Sequence, residues 1–287
     1  TGLVITAVFV VFAVLAPWIA PYGFAQVSAY GIRFDKLAGP SAAHPFGTND
    51  QFFDILSRVI WGSRTAILVV LLSVFLSAAL GVPLGLLSGY VGGWTDKILV
   101  FVMDALYAFA SLLLAIVFAF LLQGKIDNGV VSAALSLTVI YIPQYYRVVR
   151  NTTVSAREAT YVEAARAIGA RNTTIMGRYL FGNVVQSVPV IGTLNAADAI
   201  STLAALGFLG LGIQPQDAAE WGYDLSRALD DAAAGIWWSG LFPGLAIVAL
   251  VTGLTLVGEG LNETINPTLR KRRFRKVVLP PREEVAA

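Results

Sequence analysis

Three carboxylates, Asp104, Asp198 and Glu259, fall within or at the ends of stretches that are otherwise long and apolar. An ionised group deep in a bilayer is costly unless it faces water or a partner. Each acid therefore either lines a polar path or has a structural role: solvation at the interface, pairing with Lys97 or Arg270, or a hydrogen bond to a neighbouring helix. Asp198 is the strongest path candidate, because Asn195, Ser201 and Thr202 lie close to it in sequence. His44 is the only histidine; Asp50 and Asp54 are near it, but no second His or Cys completes a metal set. It reads as a loop residue before Pro45. With no cysteine, disulfides, thiolate metal sites and thiol catalysis are excluded together. The chain also lacks a G-x-x-x-x-G-K-[ST] phosphate loop, and its one Gly-Lys pair, Gly124-Lys125, is followed by Ile126. It is not an enzyme on this reading, and any nucleotide-driven work must come from a partner.

The elements that must position these residues are membrane spans. Hydrophobic residues make up 56% of the 287 and charged residues 13%, about half the charged share of a globular protein, and mean hydropathy is +0.71. A cytosolic enzyme, a disordered regulator and a nucleic-acid-binding domain are excluded. A helix needs roughly 20 apolar residues to cross about 30 Å of hydrocarbon. Six stretches qualify: Leu3 to Ala20, Thr65 to Gly89, Ile98 to Leu122, Val130 to Val149, Val184 to Gly212, and Trp238 to Leu261. The runs are continuous, without the dyad alternation of membrane strands, so the fold class is an all-α membrane protein.

Loop charge orients the spans. Arg147 to Arg178 holds six arginines against Glu158 and Glu163, a net +4, and the tail from Arg270 is net +5. Both are expected inside the cell. Gln214 to Trp237 has five acids against Arg227, a net −4, and belongs outside. The expected organisation is a first span at 1–20, an extracytoplasmic segment at 21–64, a core of five spans at 65–269 with a cytoplasmic loop at 150–183, and a basic cytoplasmic tail at 270–287. Both termini are then cytoplasmic.

The 150–183 loop is polar but regular. Ser155 and Glu158 have capping-box spacing, alanines from Ala156 to Ala167 favour helix, and Gly169 suits the left-handed residue that ends one. A second helix is expected from Asn172 or Thr173 onward. This helix-turn-helix either rests on lipid headgroups or docks a cytosolic partner. Gly81, Gly85, Gly89 and Gly93 recur every four residues, a face for close helix packing. Tyr141, Tyr145, Tyr146, Trp94, Trp221, Trp237 and Trp238 are expected at the headgroup level.

The string Glu163-Ala164-Ala165 with Gly169 four residues on resembles the EAA loop of bacterial ABC importer permeases. His44-Pro45-Phe46-Gly47-Thr48-Asn49, Asp54 to Arg58, Gly62-Ser63-Arg64, Met103-Asp104-Ala105-Leu106, Phe208 to Pro215, Phe242-Pro243-Gly244 and Gly258-Glu259-Gly260-Leu261 are similar to the C-type permeases for dipeptides and oligopeptides. The likeness covers nearly the whole chain. It implies a type I ABC importer permease fold in the bacterial inner membrane, with Glu163, Ala164, Ala165 and Gly169 in a coupling helix. Implied partners are a second homologous permease subunit, two cytosolic ATP-binding subunits and an extracytoplasmic solute-binding protein, besides membrane lipid and with no nucleic acid. It also implies no cofactor in this chain, with ATP and Mg on the ATPases, and Asp198, Asn195, Asp104 and Glu259 as candidates for the translocation path. The substrates implied are di- or oligopeptides, with a nickel chelate as the alternative solute and an ion-driven secondary transporter as the alternative class. Some positions depart from the pattern. Phe52-Phe53 replaces Gly-Arg, Gly182-Asn183 replaces Leu-Pro, Asn49 and Leu203 replace acidic residues, and Ala110 replaces a proline, implying a third span without a proline kink.

Overall fold

The computed structural model describes residues 1–265; the basic tail from Arg270, and the pairing of Glu259 with Arg270, lie outside the described residues. The chain is a helical bundle. α1 (Gly2–Ile19) leads into a loop containing a two-residue hairpin, β1 (Ser28–Ala29) with β2 (Ile32–Arg33). α2 (Ile55–Val91) is 37 residues long. It begins ten residues before the expected second span, because Asp54 caps its N-terminus by accepting from the Ser57 amide and hydroxyl at 2.8 and 2.7 Å.

The third span is a correction. It is two helices, α3 (Gly93–Ala108) and α4 (Ser111–Leu122), bent by 96° at Phe109 and Ala110. Both linking residues are extended (ψ 143° and 129°). No proline kinks the span, as Ala110 implies, yet the chain turns here all the same, and the single helix expected from Ile98 to Leu122 is broken. α5 (Gly129–Ala156) follows, then α6 (Thr160–Ala167), α7 (Asn172–Thr174), a π-helical turn (Ile175–Leu180), α8 (Phe181–Val184) and a 3₁₀ turn (Val185–Ser187) leading into α9 (Val188–Phe208). α10 (Trp221–Ala233) and α11 (Trp238–Ile265) complete the chain.

By length and composition α1, α2, the run from Asn172 to Phe208 and α11 are each sufficient to cross a membrane, and the bent pair α3–α4 makes a fifth candidate. α5 is long enough at 28 residues but more polar. Protein rather than lipid surrounds much of it: Ser136, Thr138, Tyr141 and Tyr145 are all buried.

α2 and α5 meet at backbone distance. A Cβ on Gly81, Gly85 or Gly89 would stand 2.6–2.8 Å from atoms of Tyr145, Tyr146 or Arg150, so this glycine face packs two helices of one chain. Gly93 is not on it; it has φ +60° and opens α3. The main core gathers α1, α2, α4, α5, α9, α10 and α11 around Leu137, Tyr141 and Leu203. The three α5 tyrosines are 0–3% exposed, not headgroup anchors, and Trp221 is buried with its indole donating to the Val59 carbonyl at 3.2 Å.

Candidate functional site

The 150–183 segment folds as an elbow, with one expected detail overturned. Ser155 and Glu158 form no capping box, because α5 continues through Ser155, whose hydroxyl bonds back to the Asn151 carbonyl (3.2 Å). Glu158 instead meets Arg157 at 2.9 Å, and Ala159 is the N-cap of α6 without a side-chain bond. The far end is as expected. Gly169 has φ +79°, the Ala170 amide donates to Ala165 O at 3.0 Å, and the Gly169 amide donates to Arg166 O at 2.9 Å. This is the paired-bond termination that a left-handed glycine permits.

Three polar contacts tie the elbow to the end of α2. Arg157 Nη1 donates to the Gly89 carbonyl (3.0 Å), the Tyr90 hydroxyl donates to Asn172 Oδ1 (2.8 Å), and the Arg166 guanidinium lies 5.6 Å from the Tyr90 ring centre. Beside them Arg150 grips Asp96 with two bonds, 2.5 and 2.7 Å, and the Ser88 hydroxyl donates to the same carboxylate at 2.5 Å. The pairing joins the start of α3 to α5 beside the elbow. Below the polar ring a second apolar cluster collects Val82, Leu86, Val149, Val162, Ala165 and Ile175.

α6 thus has an inner and an outer face. Val162 and Ala165 are buried; Glu163, Ala164, Ala167 and Gly169 are exposed, and Ile168 is 80% exposed. Of the two alanines in the motif, only Ala164 is presented outward. Ala165 permits close approach to the chain's own body. The elbow holds α6 against the π-helical turn and the apolar cluster shared with α2 and α5, and leaves its other side open.

The acids in the spans do not form a constellation. Asp198 is exposed on α9 and accepts from the Tyr141 hydroxyl at 2.8 Å. Asn195, one turn earlier, faces inward at 4% exposure with its Nδ2 unpaired. Asp104 pairs with Arg147 at 2.9 Å, not with Lys97, and the same guanidinium lies over the Tyr107 ring at 4.0 Å. Lys97 lies over Trp94 instead (5.4 Å). Glu259 is exposed on α11. Among the described residues no hydrogen bond joins any two of the four.

At the opposite end of the bundle from the elbow lies a polar joint that sequence reading did not isolate. Arg58, 1% exposed, donates Nε to the Asp224 carboxylate at 2.7 Å and Nη1 to the Phe24 carbonyl at 3.0 Å. Glu220 caps α10, accepting from the Gly222 and Tyr223 amides at 2.8 and 2.7 Å. Full burial pushes its carboxyl up to about 8 despite those donors. The Gln214 to Trp237 loop is therefore largely a packed helix, with Glu220, Asp224 and Asp231 enclosed and Asp217 and Asp230 exposed. His44 Nδ1 and Asp54 Oδ1 are 2.9 Å apart, and the ring packs against Tyr22 and Phe34. No metal-binding group of three or more His, Cys, Asp or Glu occurs among the described residues. The one cue to this joint was Arg58 in an otherwise apolar approach to the second span; its partner lies 166 positions away.

The family described as the binding-protein-dependent transport system inner membrane component matches residues 81–280, and the N-terminal TM domain of oligopeptide transport permease C matches residues 1–40. The chain belongs to this family of ABC transporter permeases. The permease is 34% identical over 269 residues to a dipeptide transport system permease protein of Alkalihalophilus pseudofirmus, covering 94% of this chain and 85% of that one. It is 35% identical over 271 residues to a glutathione transport system permease protein of Escherichia coli, covering 94% and 86%. Among solved structures, the MetNI methionine ABC transporter in its inward-facing conformations superposes with a TM-score of 0.57 at 18% identity, over 73% of the permease and 96% of that chain. This likeness establishes the ABC permease fold.

Proposed function

We propose that this permease is half of the membrane channel of an ATP-driven importer for di- or oligopeptides, and that the outer face of α6 receives the ATP-binding subunits. The observation that carries the reading is the two-faced α6. One side, Val162 and Ala165, packs against the π-helical turn and the apolar cluster shared with α2 and α5, while Glu163, Ala164 and Ile168 stand open. A cytosolic subunit pushing on that face moves a body continuous with the two longest-packed helices, so displacement passes into the spans as a rigid shift. Glu163 serves as a polar docking contact, Ala164 as the point of close approach, Ala165 as the internal packing residue, and Gly169 sets the turn.

On this reading α5 also crosses, as the fourth of six spans, both termini are cytoplasmic, and the end of the bundle that encloses the Arg58–Asp224 joint is turned toward the solute-binding protein. ATP and Mg are bound by the partners, and this chain carries no cofactor. A second permease subunit completes the path. Asp198, held by Tyr141 yet exposed, is its first polar candidate in this chain, ahead of the inward-facing Asn195 and of Asp104 and Glu259. Relatives named for dipeptide and glutathione transport favour peptide-like solutes. The test is extraction in mild detergent followed by reconstitution. Co-purifying ATP-binding subunits and ATP-dependent uptake of a labelled dipeptide are expected; ATP-independent uptake by the lone chain overturns the proposal.

A further inference from the structure

A cleft of about 870 Å³ runs along the bundle between α1, α2, α9 and α11. On α2 it extends from Arg64 to Ala78, fourteen residues and so about 21 Å at the helical rise. That exceeds the roughly 15 Å depth of one leaflet's hydrocarbon. Its walls are apolar, with Val10, Val14, Leu71, Phe75 and Leu254 among them. Its floor includes Gly192, where a Cβ would stand 3.4 Å from the Tyr145 hydroxyl. That hydroxyl is buried and has no hydrogen-bond partner.

The lining carries one charge, Arg64, at the end nearer the Arg58–Asp224 joint, and no carboxylate. Arg64 is exposed, lies 5.8 Å from the Trp61 ring centre, and is in no ion pair among the described residues. The cleft is therefore an apolar trough capped at one end by an unneutralised guanidinium beside an indole.

We propose that this cleft holds one acyl chain of an anionic phospholipid, with its headgroup phosphate on Arg64. The trough's largely apolar lining extends about 21 Å along α2 with a single charged group at one end, the layout of an acyl chain below its headgroup. The headgroup class follows from charge. Arg64 offers a guanidinium suited to phosphate, and no acid in the lining receives the ammonium of a zwitterionic lipid. The bound chain fills the space between α1, which itself packs on α2 and α11, and α9. The inference requires that the bundle stand in a bilayer; it does not depend on what the permease transports.

The test is native mass spectrometry of the assembled transporter in mild detergent, titrated with phosphatidylglycerol or phosphatidylcholine of the same acyl composition. The expected result is one phosphatidylglycerol retained per copy of this chain, in preference to phosphatidylcholine. Arg64→Gln reduces that preference about fivefold, the effect of one basic residue at a membrane surface. Leu71→Trp, at a residue 62% exposed and so replaceable without disturbing the core, fills the trough from its rim and abolishes retention of both lipids. Equal retention of the two lipids by the wild type overturns the proposal, as does retention unchanged by both substitutions. Cross-linking of a Phe75→Cys variant to the second permease, with no lipid retained, overturns it in favour of a protein occupant.

Discussion

Glu220 is a carboxyl whose environment pulls two ways: two amides and a helix N-terminus favour its anion, while complete enclosure favours its acid. Enclosure dominates, raising it from 4.5 to about 8. A raised folded value means stability fully present below pH 4.5 and lost as pH rises toward 8. Glu220→Gln keeps the shape and removes the titration. Thermal unfolding of the purified transporter between pH 5 and 8 is expected to show a falling midpoint for the wild type and a flatter one for the variant. The buried pair makes a second residue-scale prediction. Arg58→Ala leaves Asp224 enclosed without its cation, at a cost of about 3–5 kcal/mol. The folded yield in detergent is expected to drop sharply for Arg58→Ala, and Arg58→Lys to recover part of it. Neither joint was legible beforehand. A local reading assigns Asp104 to Lys97 because the two are seven residues apart, whereas its partner, Arg147, comes from α5.

At the scale of elements, what could be read were features written in consecutive residues. Gly169 ends α6 with a positive φ because the preceding alanine-rich run needs a left-handed stop, and the glycines of α2 fall on one face because of helical period alone. What could not be read were features set by neighbours. Ser155 and Glu158 have cap spacing, yet α5 overruns Ser155 and ends where Arg157 bonds the Gly89 carbonyl of α2. The third span turns through 96° with no proline to announce it. Phe52, where glycine is usual in the family it resembles, adopts φ +67° with the Arg33 guanidinium 4.0 Å from its ring. Gly169 supplies the element-scale prediction. A side chain there meets no atom within 4 Å, so the cost is backbone conformation alone, about 1–2 kcal/mol. Gly169→Asp is expected to insert and assemble yet lose most ATP-driven uptake, while Gly169→Asn, better suited to the left-handed region, retains more. Reconstituted uptake measured beside the ATPase rate separates loss of coupling from loss of assembly.

At the scale of the molecule, composition and span length established the class of protein, and the order of motifs established the family, because both are properties of the whole chain. The path through the membrane was less legible. Four acids and amides chosen for their place in apolar runs proved to be dispersed, each with its own surroundings. A path formed with a second subunit is not encoded by contacts within one. The absence of cysteine gives a direct test of the central claim, that the open face of α6 receives an ATP-binding subunit. In the assembled transporter, Ala164→Cys treated with a short cysteine-directed photo-cross-linker is expected to join this chain to an ATP-binding subunit, while Asp230→Cys on α10 is not. Cross-linking from Asp230 with none from Ala164 contradicts the account.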